Sequence, residues 1–413
     1  MYLRKFFLLP LSLLLFIVSL VLSSIFYRKK IYSVHFCHKF FGHAAIEPAI
    51  ASSFASSNNI KLFTSFQGFS DDHNSFLYSI LRSLFSDSFV PFSYLHYIYN
   101  NSFSFIKYIT SFFYSPLLPN RIDRELFYLP YLSTDLIFPW RTFARKKLNL
   151  PSDFSYPSSF PVLIACRTSH FYKNSSAVLE QNYRNLQTVE IEHLLRSFLV
   201  NDDSTTFIIY TSHSIINYLL PRFQQYESRL EFVDEQYQDV IPLFARSKLL
   251  VNNGNGIGAF ATSLGFPTLF IKHSPYQSIH SSHLNAVLIP SIYHKFNTIP
   301  DFLESLELSF SPPCILPYDF VLNYSSVGIS LLSLTKYPTH IFSDSLKQAL
   351  DLSNLFSSQP FTMNSFDSFI HTESNLLFWN TFNQLASKQV KTWHSKQYLT
   401  VSNSFLDYFS SCL

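Results

Sequence analysis

At 413 residues and a net charge of +3, the chain is long enough for two domains, and its bulk electrostatics imply no polyanionic partner such as a nucleic acid. The 46 phenylalanines and 25 tyrosines read more simply as the product of an A/T-rich genome than as a membrane- or sugar-facing aromatic surface. The four cysteines, Cys37, Cys166, Cys314 and Cys412, are far apart and form no CxxC pair. Cys37 and Cys166 fall near predicted strand ends and read as buried free thiols, which fits a reducing compartment.

From the amino terminus, Phe6 to Tyr27 is an uncharged apolar run of 22 residues, long enough to span a bilayer. The run is longer than a signal-peptide core, and Ser23-Ser24 is a poor cleavage site, so residues 1–30 are expected to form a retained single-pass anchor. Arg4 and Lys5 flank one side, and Arg28, Lys29 and Lys30 flank the other. This slight bias favours a cytoplasmic body.

Tyr32 to Cys37 predicts the first strand. Its exit carries Gly42-His43 and Glu47-Pro48, with a helix running on to about Ser57. Ile60 to Phe66 predicts a second strand ending at Gln67-Gly68-Phe69. In a doubly wound sheet ligands bind at the carboxyl ends of the strands. His43 and Glu47, four residues apart, are therefore candidates to take a proton from a hydroxyl. Between Phe76 and Phe143 the pattern is weak, and short helices are expected. Asn149 to Pro161 has the Pro/Ser content of a linker, which places a boundary between a first domain, 31–150, and a second, 161–335.

The second half is regular. Val162–Cys166, Phe207–Thr211, Leu230–Val233, Leu249–Val251, Thr268–Ile271 and Val287–Ile289 read as strands separated by helical patterns such as Val189–Leu199. That alternation predicts an α/β fold with a parallel sheet. Beyond Pro312-Pro313 the signal fades, and Leu346–Leu355 and Phe378–Trp393 predict a helical extension over 336–413.

The most informative stretch is Lys248 to Pro275. It holds four of the seven glycines in the chain, Gly254, Gly256, Gly258 and Gly265, where ordinary usage would place about 29 in all. A strand, a loop of Asn252 to Gly258, a helix with Ile257, Phe260, Ala261 and Leu264 at helical spacing, a Gly265/Pro267 stop and a second strand make one βαβ unit. A glycine loop opening a helix offers backbone amides and the positive end of a helix dipole to a phosphate. Asn253, Gly254, Asn255, Gly256, Ile257 and Gly258 are the candidate contacts.

Arg167, at the exit of the second domain's first strand, and Tyr183-Arg184-Asn185, just before the next helix, add the charge and hydrogen bonding a diphosphate needs. Lys272 and His273 leave the following strand on the same edge. Arg246 and Lys248 lie at the opposite, amino end and read as structural. No metal is expected: the 15 histidines show no HxxxH or HxxEH spacing near the ligand edge, and no DxD follows a strand. The GxGxG spacing, deep in the second domain, argues against NAD.

In order and spacing these pieces resemble a family of bacterial glycosyltransferases of surface-polysaccharide loci with a GT-B-like fold. They are Gly42-His43 with Glu47-Pro48, Arg167 with Tyr172, Tyr183-Arg184-Asn185, and Ala245 to Pro275. The sequence departs from the pattern at Thr168, where an acidic residue is expected, and at Ser212-His213, where Arg-x-Gly is expected. The resemblance implies two Rossmann-like domains facing across a cleft, an acceptor-side domain followed by a donor-side one. It implies transfer of a sugar from a nucleotide-sugar donor to a glycan or lipid-linked acceptor at the membrane, without a metal or other cofactor. His43 or Glu47 would serve as base. A sugar-nucleotide epimerase and an inactive membrane-anchored binding protein of the same fold remain the alternatives.

Overall fold

The computed structural model describes residues 31–36, 61–66, 144–146, 148–151, 156–168, 185–236, 239–273, 285–290, 334–358, 372–380 and 400–412. The chain divides into two compact units, Met1–Lys147 and Leu148–Leu413. The apolar run Phe6–Tyr27 lies outside the described residues. Among those described, no helix is long and apolar enough to cross a membrane.

In the first unit, β1 (Ile31–Phe36) and β2 (Lys61–Phe66) pair in parallel, from Ile31 opposite Lys61 to Phe36 opposite Phe66. Parallel neighbours need a crossover of about a dozen residues or more, and the sequence between the two strands is long enough to supply one.

The second unit is built on one parallel sheet. Its strands are β3 (Val162–Ile164), β4 (Phe207–Thr211), β5 (Leu230–Asp234), β6 (Leu249–Asn252), β7 (Thr268–His273), β8 (Ala286–Pro290) and β9 (Thr400–Val401). They lie side by side in the order β5-β4-β3-β6-β7-β8-β9, and every neighbouring pair is parallel. Apart from the added β9, this is the doubly wound order 3-2-1-4-5-6. Its strands read as unbroken apolar runs because helices cover both faces of such a sheet. Val162, Leu163 and Ile164, and Leu249, Leu250 and Val251, are all fully buried.

Two helices frame the strand exits. The first, α1 (Thr188–Asn201), starts in a capping box between Gln187 and Glu190. It buries Ile191, Leu194, Leu195, Phe198 and Leu199, a 3.6-residue stripe aimed at the sheet. Phe198 stacks on Phe207 of β4 with ring centroids 5.6 Å apart. Burial of each such side chain contributes roughly 1.5–3 kcal/mol. After α2 (His213–Leu219) and the single turn α3 (Ile241–Phe244) comes α4 (Gly256–Leu264), whose residues from Gly258 onward are wholly buried. Gly265 ends α4 at φ 64, and Phe266 N–H closes back on Ala261 O at 2.9 Å, a glycine stop of the kind the sequence predicts. Phe244 packs edge-on against Phe260 and Phe266 at 5.3 and 4.9 Å.

The carboxyl-terminal residues complete the same unit. α5 (Thr339–Ser358) lies against α1 and β8, and residues 373–380 are helical. Leu288 of β8 pairs with Val401 of β9, and α6 (Asn403–Cys412) buries Phe405, Leu406 and Phe409. The described residues of the expected extension 336–413, namely α5, 373–380, β9 and α6, therefore belong to the sheet and its core. α5 is also longer than the Leu346–Leu355 pattern, because Ile341 and Phe342 bury one turn earlier.

Candidate functional site

From β3 the chain builds outward through β4 and β5, then returns to lay β6 on the other side of β3. The point between β3 and β6 is where the winding reverses, and the crevice beyond the carboxyl ends of these strands is the usual ligand site of such sheets. Cys166–Thr168 leave β3 there, and Asn253–Gly256 leave β6.

The loop after β6 is organised by its asparagine side chains. Asn252 Oδ1 accepts from the Gly254 and Asn255 amides at 2.8 and 3.1 Å. Asn255, the N-cap of α4, accepts from Ile257 N and Gly258 N at 2.8 and 3.1 Å. Asn252 Nδ2 joins the two by donating to Asn255 Oδ1 at 2.8 Å and reaches Ala165 O at the end of β3. The loop is thus capped from within. Among the described residues the Gly256 amide has no asparagine partner of this kind, and Asn255, Gly256 and Ile257 form the loop's half-exposed rim. Capping by neutral amides leaves the positive end of the α4 dipole in place.

Glycine is required at two points in this loop. Gly254 has φ 72, which side chains with a Cβ resist. A Cβ on Gly258 would run into Asn252 Oδ1 and come within 2.9 Å of the Phe270 ring. Gly256 is the first residue of α4 and needs no unusual conformation.

Asn253 is buried and works as a clamp. Its Oδ1 accepts from Arg167 N at 2.8 Å and its Nδ2 donates to Arg167 O at 3.0 Å, so its side chain continues the β3–β6 pairing by one residue. Arg167 O also accepts from Leu186 N at 2.9 Å, and Thr168 bridges to Leu186. Arg167 and Asn185 therefore stand together, buried, beside the glycine loop. Cys166 donates to Val251 O at 3.7 Å. Burial pushes its thiol well above the usual cysteine value, the state of a structural thiol rather than a nucleophile.

Lys272 lies within the carboxyl end of β7, which runs two residues beyond the expected Thr268–Ile271, and its side chain turns inward. With φ 47 it occupies the left-handed region, next to a register shift between β7 and β8. Its Nζ donates to Glu190 Oε1 and Oε2 at 2.9 and 3.0 Å and to Asn185 O at 3.2 Å. The three ammonium protons are thereby all used. Both side chains are fully buried, and desolvation draws Lys272 below the usual lysine value against the opposing pull of Glu190. Glu190 further accepts from Gln187 N and Leu334 N, each at 2.8 Å. Sequence reasoning overlooked Glu190. Its one visible signal is its place three residues after Gln187, a capping-box spacing.

The β4 and β5 exits carry a second polar group. His213 Nδ1 lies 3.2 Å from Asp234 Oδ2, at the place where Ser212-His213 replaces the expected Arg-x-Gly. Burial and then the Asp234 charge push the neighbouring Glu235 carboxyl up. At the opposite edge Arg246 grips Glu231 with two bonds of 2.7 and 2.6 Å, and Lys248 Nζ donates to Ser158 O at 2.7 Å.

Of the candidate residues, Arg167, Asn185, Asn253, Gly254, Asn255, Gly256, Ile257, Gly258 and Lys272 gather on one sheet edge. His43, Glu47, Tyr172, Tyr183 and Arg184 lie outside the described residues. Among those described, no group of three or more His, Cys, Asp and Glu side chains is placed to hold a metal ion.

No family model matches the chain, and no curated protein matches it. Among solved structures it is similar to the E. coli ADP-heptose LPS heptosyltransferase II, at 13% identity and a TM-score of 0.35 over 73% of this chain and 98% of that one. It is similar to a glycosyl transferase of family 9 from Veillonella parvula, at 9% identity and a TM-score of 0.37 over 73% and 97%. A third similar structure is the UDP-GlcNAc 2-epimerase of Neisseria meningitidis, at 13% identity and a TM-score of 0.33 over 78% and 98%.

Proposed function

We propose that the chain is a glycosyltransferase that moves a sugar from a nucleotide-sugar donor to a glycan or lipid-linked acceptor, with the donor diphosphate held on the second unit. The observation that carries this reading is the clamp of Asn253, in the glycine loop that leads into α4, on the Arg167 backbone at the point where the sheet's winding reverses. Arg167, the half-exposed Gly256 and the amino end of α4 all belong to the strand exits where a doubly wound sheet takes its ligand.

The acceptor hydroxyl attacks the anomeric carbon of the donor sugar and gives its proton to a base, His43 or Glu47. The bond from that carbon to the diphosphate oxygen breaks, and the nucleoside diphosphate leaves with the electron pair. Arg167, the Gly256 amide and the α4 dipole stabilise the charge that develops on it, so no metal is needed for departure. The body is cytoplasmic, where nucleotide sugars are made, and Phe6–Tyr27 holds it at the membrane that carries the acceptor.

The test is incubation of the full chain with a panel of nucleotide sugars, with and without membrane lipid. Release of nucleoside diphosphate that depends on the lipid or glycan is the expected result. Gly256→Val, which adds bulk at the half-exposed rim of the loop, should weaken nucleotide binding at least tenfold, about 1.4 kcal/mol, in a folded protein. Interconversion of the donor sugar without an acceptor would replace this reading with an epimerase. Binding without turnover of any donor would leave a binding protein.

A further inference from the structure

The donor reading makes no use of the most deeply buried charges on this edge, Glu190 and Lys272. We propose that this ion pair is a positioning device that fixes Arg167 and Asn185 beside the glycine loop and thereby sets the affinity for a nucleoside diphosphate; the inference rests on the donor-site reading above.

The connections run through named bonds. Lys272 Nζ holds Asn185 O at 3.2 Å. The next residue, Leu186, donates its amide to Arg167 O at 2.9 Å, and Thr168 bridges to Leu186. On its other side Arg167 is clamped by Asn253 through two bonds. The Arg167 backbone is thus set from β6 by an asparagine and, through Asn185–Leu186, from β7 by a lysine. Glu190 sets that lysine, and the same carboxylate anchors the start of α1 through Gln187 N and the 334–336 turn through Leu334 N. Three segments distant in sequence, the start of α1, the end of β7 and the 334–336 turn, meet on one carboxylate.

Stability alone is a poor account of this arrangement. A buried ion pair is often no better for stability than apolar residues of the same volume. Here its lysine also stands in the left-handed region, φ 47, which residues with a Cβ seldom adopt. Charges and strain retained beside a ligand crevice fit a requirement for placement. Binding of a charged group is sensitive to such placement, since a misfit of about 1 Å is enough to degrade a preorganised site.

The experiment compares wild type, Glu190→Gln/Lys272→Met, Glu190→Asp and Arg246→Met/Glu231→Gln in the full chain. Thermal melting and titration calorimetry with uridine diphosphate and adenosine diphosphate are the readouts. The neutral double variant keeps a glutamine in the capping box and removes the tether to Asn185. It should melt near wild type and bind the better of the two nucleotides at least tenfold more weakly. Glu190→Asp keeps the charge balance but withdraws the carboxylate by one methylene, and it should lose at least threefold. The amino-edge double variant should bind like wild type. Wild-type affinity in either folded Glu190 variant, with Gly256→Val still weakened, overturns the positioning role and leaves the donor site standing. A wild-type chain that binds neither nucleotide overturns both.

Discussion

Arg246 and Glu231 close an ion pair at the amino edge of the sheet, and Lys272 and Glu190 close one at its carboxyl edge. By geometry the amino-edge pair is the better of the two, with two bonds of 2.7 and 2.6 Å in a bidentate fork. Yet its side chains are 43% and 49% exposed, whereas those of Lys272 and Glu190 are 0% exposed. Water screens the first pair, and its removal leaves two charges that hydrate at once. The second pair has no such escape: remove one partner, and the other is left as a bare charge in the interior. Position in the sheet, more than bond length, decides what each pair is worth.

The strongest test of that contrast is Lys272→Met. It strands the Glu190 carboxylate and should destabilise the second unit by about 3–5 kcal/mol, read as a lower midpoint in urea unfolding. Adding Glu190→Gln should recover most of the loss. A loss under about 1 kcal/mol for Lys272→Met alone would mean that water reaches the pair and that the two edges do not differ.

Next in size is Gly258→Ala, which probes how tightly the carboxyl edge is packed. The new methyl group meets Asn252 Oδ1 and the Phe270 ring, and Asn252 cannot swing aside without releasing the Gly254 and Asn255 amides. A loss of about 1–3 kcal/mol is expected. An unchanged unfolding midpoint would show that the asparagine cap is soft.

The two edges were not equally legible in the sequence. Strands such as Phe207–Thr211 announce themselves because a parallel sheet buried on both faces needs unbroken apolar runs, and Gly265 with Pro267 marks the end of α4 by local backbone chemistry alone. The asparagines after β6 were legible as turn formers. Their roles as a cap for α4 and a clamp on Arg167 were not, since Asn253 meets its partner 86 residues away. The Glu190–Lys272 pair spans 82 residues. Locally, Glu190 has the look of an ordinary first-turn acid and Lys272 that of a strand-end cation facing solvent. β9, with two residues, is too short for any periodicity to reveal. What the sequence hides, in each case, is long-range pairing between residues whose local roles are ordinary.

Arg246→Met should come next, with a loss within about 1 kcal/mol in the same urea assay and no change in nucleotide affinity. A larger loss would mean that the fork between the start of β5 and the turn before β6 holds the amino edge together, and the contrast between the edges would narrow.

The smallest effect is expected at Asp202, also on the amino edge, in the turn from α1 to β4. Burial pushes its carboxyl up, but hydrogen bonds from Thr205 and Ser204 outweigh that and hold it at about 2, against an ordinary value of 3.8. A carboxyl whose folded value lies below its unfolded one contributes stability that is fully present above about 4. That contribution is lost as pH falls from about 4 to about 2. Because the group is only half-buried, solvent screening should keep its worth under about 1 kcal/mol. Asp202→Asn retains an acceptor for the Ser204 and Thr205 amides but cannot titrate. At pH 7 the variant should therefore be slightly less stable than wild type, and the two should converge by about pH 2. A gap that stays constant from pH 7 to pH 2 would assign the effect to lost hydrogen-bond strength rather than to charge. It would also remove the proton linkage assigned to this half-buried turn.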